Sequence, residues 1–337
     1  MMVVNGSRSA CDFSLLRSLS ALEVIRISVE FRPRRNLAQK AWIGAAVRNR
    51  FLYAAEQVMM PCGGTLRESL DHLSLDSDHF LYRQLCGGFP KGYLFDVSEM
   101  SQVASEFSLS ASGTYRFHVL LVGRLVSFQS YVVSAIQRML EEGLGNPCVP
   151  LDLVSLDVGI PLSMSDFVDP AGQEVELRLR AVTPVALSKP VDEAGSGYLS
   201  RLNGFPSFYQ WISAAVYRLA TLTVLYSDTG LPEIRDKDEW EFRIESLIAP
   251  AVRSWLVSAD ISYVSLRSTP KRGRNNVYVM SGYLGTLTYC RVRSDYIPLL
   301  RMMSELSIGN DVNFGLGWYE CLLPEYPYFC ERNEPEA

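Results

Sequence analysis

The chain has 337 residues, 48% of them hydrophobic, with 32 Lys and Arg against 37 Asp and Glu and a formal net charge of −5. That length accommodates two domains of ordinary size, and that apolar share excludes a largely disordered chain. The net negative charge excludes a global basic field that would draw in nucleic acid unaided.

Only five of the 32 basic residues are lysine. Arginine's planar fork suits bidentate phosphate contacts and stacking on bases; a high arginine share also follows from GC-rich coding. Seven cysteines (Cys11, Cys62, Cys86, Cys148, Cys290, Cys321, Cys330) are scattered with no C-x-x-C pair. Zinc-ribbon and thioredoxin-like readings therefore fail, and reduced thiols in a cytoplasmic protein fit best. The opening MMVVNGSRSACDF has no long apolar core, so no signal peptide is expected. No run approaches the roughly 18 apolar residues of a membrane span. The chain is expected to be soluble, with no membrane partner.

Along the chain, Leu22 to Phe31 alternates apolar and polar residues with a period of two and predicts a strand. R-P-R-R at 32–35 ends it. Gln39 to Glu56 has apolar residues at steps of three and four and predicts a helix. Residues 57–110, rich in Gly and Pro with acidic clusters around Asp71 and Asp76, read as an insertion. Thr114 to Val126 predicts a second strand, and Phe128 to Glu142 an amphipathic helix stopped by Gly143 and Gly145. Pro150 to Val158 alternates again. After a join near Asp157 to Asp169 the order repeats. A strand over Glu174 to Leu187 precedes a long apolar helix over Pro206 to Tyr226. Strands over Tyr263 to Arg267 and Asn276 to Cys290 are joined by a basic turn. A helix over Asp295 to Leu306 leads to a last strand over Trp318 to Leu323. Each half is thus strand, helix, strands, helix, strand, the ferredoxin-like β-α-β-β-α-β plan. The fold class is α+β: two tandem ferredoxin-like (RRM-like) domains, 20–158 with an insertion at about 57–110, and 170–325.

Before that last strand runs S-I-G-N-D-V-N-F-G-L-G-W-Y-E-C, with Gly309, Gly315 and Gly317 inside nine residues. Glycine reaches backbone angles other residues avoid and lets another backbone come close. Such a loop forms an anion-binding nest of backbone N–H groups or a simple turn into an edge strand; spacing alone leaves both open. It is not G-x-x-x-x-G-K-[ST], and no G-x-G-x-x-G opens a helix, which speaks against a P-loop or Rossmann site.

Four segments, in order over most of the chain, resemble one family. W-I-G-A-A-V-R-N-R-F (42–51) is similar to its small-residue first helix with an arginine. L-L-V-G-R-L and E-E-G-L-G-N-P within 117–147 are similar to the end of its first domain. R-S-T-P-K-R-G-R-N-N-V-Y-V-M-S-G-Y-L-G-T-L-T-Y (267–289) is similar to its basic turn and glycine-marked strand, and 308–319 to its glycine-rich loop. The family is the CRISPR-associated endoribonuclease that cuts precursor CRISPR RNA within repeats, the Cas-six family of the RAMP superfamily. The resemblance implies two ferredoxin-like domains, a CRISPR repeat RNA (crRNA) partner and, in active members, cleavage without a metal or other cofactor. It also admits other Cas effector subunits as partners.

Cleavage of that kind needs a base, an acid and a cation, for which His and Arg or Lys serve. Many active members place a histidine on or just after the first helix, and Gln39 to Glu56 contains none. His118 falls on the opposite strand face from Tyr115, Phe117, Val119 and Leu121, which suggests a structural or surface role. His72 and His79, in a polar D-H-L-S-L-D-S-D-H segment, are the catalytic candidates together with Arg50 as a cation; the plainer reading is two solvated loop histidines. The D-H pairs lack the compact spacing of a metal site, so no metal is expected. Arg267, Lys271, Arg272 and Arg274 crowd the basic turn, and with Arg48, Gly309, Gly315 and Gly317 they form the expected RNA-binding set. Arg48 and Arg50, two apart on a helix, point in different directions, so one can face RNA while the other is structural. Tyr53 and Tyr283 are either base-stacking residues or core. Three functions follow: a repeat-cutting endoribonuclease, a non-cleaving RAMP subunit that holds crRNA in an effector complex, or a ferredoxin-like protein-interaction module.

Overall fold

The computed structural model describes residues 19, 21–73, 75, 79–85, 89–100, 103–167, 172–187, 204–227, 236–267 and 279–323. Strand β1 (Val24–Pro33) turns Ile25, Ile27, Val29 and Phe31 into the core and leaves Arg26, Ser28, Glu30 and Arg32 on the other face, as its alternation demands. Helix α1 (Ile43–Ala55) follows, and its small residues Gly44, Ala45 and Ala46 are all buried. Strand β2 (Tyr93–Asp96), strand β3 (Tyr115–Val122), helix α2 (Gln129–Glu142) and strand β4 (Leu151–Val158) complete the first unit. The sheet order is β2-β3-β1-β4 with antiparallel neighbours.

The second unit repeats that topology. Strand β5 (Glu174–Val185), helix α3 (Phe208–Tyr226), helix α4 (Lys237–Ile248), strands β6 (Trp255–Arg267) and β7 (Val279–Arg293), helix α5 (Ile297–Leu306) and strand β8 (Tyr319–Leu322) follow in turn. Its sheet order is β8-β5-β7-β6, also antiparallel. Counted within each unit, both sheets run fourth, first, third, second. That is the ferredoxin-like order, so the expected fold class is the one found.

Several elements depart from expectation. Strand β2 lies inside 57–110, the stretch read as an insertion, yet it forms an edge of the first sheet, its Phe95 pairing with Val119 of β3. All four of its residues are buried, so it carries no alternation to betray it. Helix α4, capped by the Asp236 side chain on the Glu239 amide at 2.7 Å, was not anticipated. Strand β6 begins eight residues before Tyr263; its inner side chains are only half-buried until Leu266, and a register shift between Leu256 and Ser258 breaks its period. Strand β3 stops at Val122, where Gly123 takes φ +55° and a 3-10 turn (Gly123–Phe128) begins. The basic-turn residues Lys271, Arg272 and Arg274 lie outside the described residues.

One continuous apolar core runs through both units. The join has close backbone contacts. A Cβ on Gly123 would sit 2.0 Å from the Tyr226 carbonyl oxygen, and one on Gly44 would sit 2.0 Å from the Phe314 carbonyl oxygen. An ion pair from Arg26 on β1 to Glu305 on α5, 2.6 Å long, spans the same join. Among the described residues no helix is long and apolar enough to cross a membrane, and Cys62 and Cys148 are free thiols. Gly44→Ala should force the glycine-rich loop off α1. A loss of about 1–3 kcal/mol, the usual penalty for overpacking, is expected in urea unfolding.

Candidate nucleic-acid interface

The N-terminus of α1 is where three chain segments meet. Trp42, the residue before the helix, donates its indole Nε1–H to the Phe314 carbonyl at 2.6 Å and its backbone N–H to the Arg267 carbonyl at 2.9 Å. The first bond fastens the glycine-rich loop to α1. The second fastens the end of β6, from which the basic turn departs. Trp318 adds a third tie, its indole N–H reaching the Phe95 carbonyl of β2 at 3.2 Å.

The loop between α5 and β8 takes left-handed backbone angles at Ser307, Gly309, Asp311, Gly315 and Gly317. Such a conformation persists only when its surroundings hold it. Here they do. The Gly317 amide donates to the Pro184 carbonyl, Gly315 to Val312, Asn310 to Ala186, and Ile308 to Gly317. Arg218, buried on α3, directs its Nε–H to the carbonyl of Ser307 at 3.1 Å, with Leu306 at 3.4 Å. A cation there also suits the negative end of the α5 dipole. Burial pushes the Arg218 pKa down to about 10.

The glycines therefore do a different job from the anion nest. Gly315 and Gly317 are buried, and their amides are spent inside the protein. A Cβ on Gly317 would lie 2.1 Å from the Ile308 carbonyl oxygen, and one on Gly309 2.4 Å from that of Ala186. All three glycines permit close packing of chain on chain, and Gly309 alone is half-buried.

Arg48 and Arg50 separate as their spacing on α1 requires. Arg48 stacks its guanidinium over the Phe314 ring of the loop, 4.9 Å from the centroid. Its Nε is buried without a hydrogen-bond partner, and burial holds its pKa below the ordinary guanidinium value. Arg50, expected at the reaction centre, instead reaches the Gly145 carbonyl at 3.4 Å and the Cys148 sulfur. It braces the turn after α2.

Beside Arg48 lies a polar cluster that sequence reasoning missed. Asp71, at the end of a short helix (Leu66–Asp71), accepts from the Tyr93 hydroxyl at 3.1 Å and pairs with Lys91 at 2.8 Å. Burial first, then the Asp71 charge, raises the Tyr93 pKa far above the ordinary phenol value. The exposed His72 comes next, and its carbonyl accepts from Arg124 at 2.8 Å. Arg124 also lies 5.7 Å from the centroid of the Tyr226 ring. Nothing in local sequence links 48, 71, 91, 93 and 124; the pairing of β2 with β3 and the packing of α1 against β2 and the short helix bring them together.

The other histidines sit apart from this cluster in their contacts. The ring of His79 stacks on Phe80, and its Nδ1 accepts from the Leu81 amide at 3.2 Å. His118 is buried between Ser28 Oγ at 2.9 Å and Glu99 Oε1 at 3.1 Å, a structural position as its strand phase implied. Arg267 is exposed. Tyr53 is 51% exposed on α1, and Tyr283 packs edge-on against the exposed Tyr263. Neither tyrosine belongs to the core.

Tyr226, which donates its hydroxyl to the Pro90 carbonyl at 3.2 Å, has its pKa pushed up to about 12, mainly by burial. Its folded pKa lies above the ordinary value of about 10, so its share of stability is complete below pH 10 and drains away as the pH rises toward 12. Unfolding midpoints measured across that window should fall less steeply for Tyr226→Phe than for the parent.

No family model matches the sequence, and no curated protein matches it. Solved structures do match in shape. A Cas6 product complex superposes with a TM-score of 0.53 at 13% identity, covering 90% of this chain and 100% of that one. A partial Cas6-RT-Cas1–Cas2 complex gives a TM-score of 0.54 at 13% identity, with 91% of this chain covering 47% of that one. The chain therefore spans about half of that longer polypeptide. The fold built by the two repeated sheets and their glycine-rich loop is the Cas6 fold.

Proposed function

We propose that this chain is a Cas6-type RAMP protein that binds CRISPR repeat RNA where α1, the glycine-rich loop and the basic hairpin converge, and that it cuts precursor crRNA there. The observation that carries the reading is the double anchorage of Trp42. It holds the loop and the end of β6 against the start of α1, whose Arg48, further along the helix, stacks on Phe314 of the loop with its Nε–H unpaired.

The reaction is metal-independent transesterification. The ribose 2′-hydroxyl loses its proton to a base and attacks the adjacent phosphorus. The P–O5′ bond breaks and the departing oxygen takes a proton from an acid, leaving a 2′,3′-cyclic phosphate and a 5′-hydroxyl. His72 is the candidate for proton transfer, because it is exposed and adjoins the cluster around Asp71 and Arg48. Arg48 suits the phosphorane clamp better than Arg50, whose guanidinium is engaged with Gly145 and Cys148.

One observation favours the non-cleaving reading, a RAMP subunit that holds crRNA among other effector subunits. Helix α1 has no histidine, and His118 has both ring nitrogens occupied. Incubating the protein with repeat RNA in excess EDTA separates the two. Cyclic-phosphate ends, with cleavage reduced about 100-fold or more in His72→Ala and binding retained, are expected for the enzyme. Tight binding with intact RNA would establish the holding role instead, and no salt-sensitive binding at all would defeat both. The two α1 arginines should also split: Arg48→Met lowers RNA affinity with little change in melting temperature, while Arg50→Met lowers the melting temperature and leaves affinity near the parent's.

A further inference from the structure

Arg67, Lys91 and Arg124 gather around Asp71 and His72, and Arg48 on α1 stacks on Phe314 of the glycine-rich loop. Lys91 Nζ is 2.8 Å from Asp71 Oδ1, and Arg67 Nε is 4.0 Å from Asp71 Oδ2. Arg48 lies in the field of both Asp71 and Arg67, and Arg124 is held one residue further on through the His72 carbonyl. Among the described residues, two carboxylates pair with them: Asp71, and Glu56, which pairs with Arg67. The nearby Glu68 is turned back into a capping box on Thr65. The Asp71 carboxylate is thus shared among several donors, while the Arg48 Nε–H has no acceptor. Counted over the described residues, four cations face two carboxylates, so the cluster carries a net positive charge. It is 28–40% exposed at Arg67, Lys91 and Asp71, so a ligand can reach it.

We propose that this cluster is a phosphodiester-binding site for the RNA, and that Asp71 is a resident stand-in for the phosphate in the RNA-free protein. This rests on the proposal that the chain binds RNA, and adds to it Lys91, Arg67 and Asp71. A phosphate oxygen competes with Asp71 for Lys91 and Arg67 and adds negative charge in the field of Arg48. The carboxylate then has two opposed effects. It keeps the cations from repelling one another while the site is empty, and it repels the phosphate when RNA arrives. Removing its charge alone should favour RNA.

The test compares Asp71→Asn, which keeps an oxygen acceptor for the Tyr93 hydroxyl, with Lys91→Met and Lys91→Arg. Each variant is titrated with repeat RNA over a series of salt concentrations, and folding is checked by circular dichroism and melting temperature. Asp71→Asn is expected to bind RNA about tenfold more tightly. Lys91→Met should bind more weakly and lose about one unit of the log–log salt slope, and Lys91→Arg should retain both. Should Asp71→Asn fail to fold, the Lys91 pair alone decides. A folded Asp71→Asn with unchanged or weaker affinity would overturn the stand-in role. A Lys91→Met variant that loses inorganic phosphate binding but keeps parental RNA affinity and slope would overturn the RNA assignment. If the parent itself shows no salt-dependent RNA binding, it is the functional proposal that falls, which is a distinct outcome.

Discussion

The indole of Trp42 is the fastening on which the arrangement of the second unit against the first depends. Its ring N–H is buried against the Phe314 carbonyl, and its backbone N–H holds Arg267. A buried carbonyl left without its donor costs about 1–3 kcal/mol, so this bond is hard to exchange for another. Gly44 makes it possible by carrying no Cβ where the Phe314 carbonyl must pass. The cation–π contact of Arg48 with Phe314 follows from that single approach.

Much of this was legible in the sequence where a strand has one wet face. The alternation in Val24–Pro33 and the stop at Gly143 located the first unit, and the repeated element order predicted both sheets. Legibility failed where burial is two-sided, as at Tyr93–Asp96, or partial and interrupted by a register shift, as along Trp255–Arg267. In neither does a period of two survive. The candidate site divided in the same way. Arg48 was nominated because it lies on a recognisable helix. Lys91, Tyr93 and Arg124 were not, because what unites them is the register of β2 against β3, and no local pattern encodes a register.

The glycines give a sharper lesson. Read alone, three glycines in nine residues fit an anion nest and a turn equally well. Their neighbours decide the matter: Gly309, Gly315 and Gly317 stand where carbonyls or side chains of Ala186, Phe95, Val97 and Ile308 come within about the space of a methyl group. The same residue type that opens a backbone to a phosphate in one fold closes it onto another backbone here. On the proposed function, the positive charge for RNA would come from side chains such as those around Asp71.

The buried Arg218 beneath the Ser307 and Leu306 carbonyls has a consequence for recognition. A loop whose amides and carbonyls are already engaged has surrendered its conformational freedom during folding. A ligand that docks on it meets a surface with little left to order, and keeps more of its contact energy as affinity. The flexibility in any complex then resides chiefly on the ligand's side, so discrimination among RNAs would rest on which of them can conform to a rigid platform.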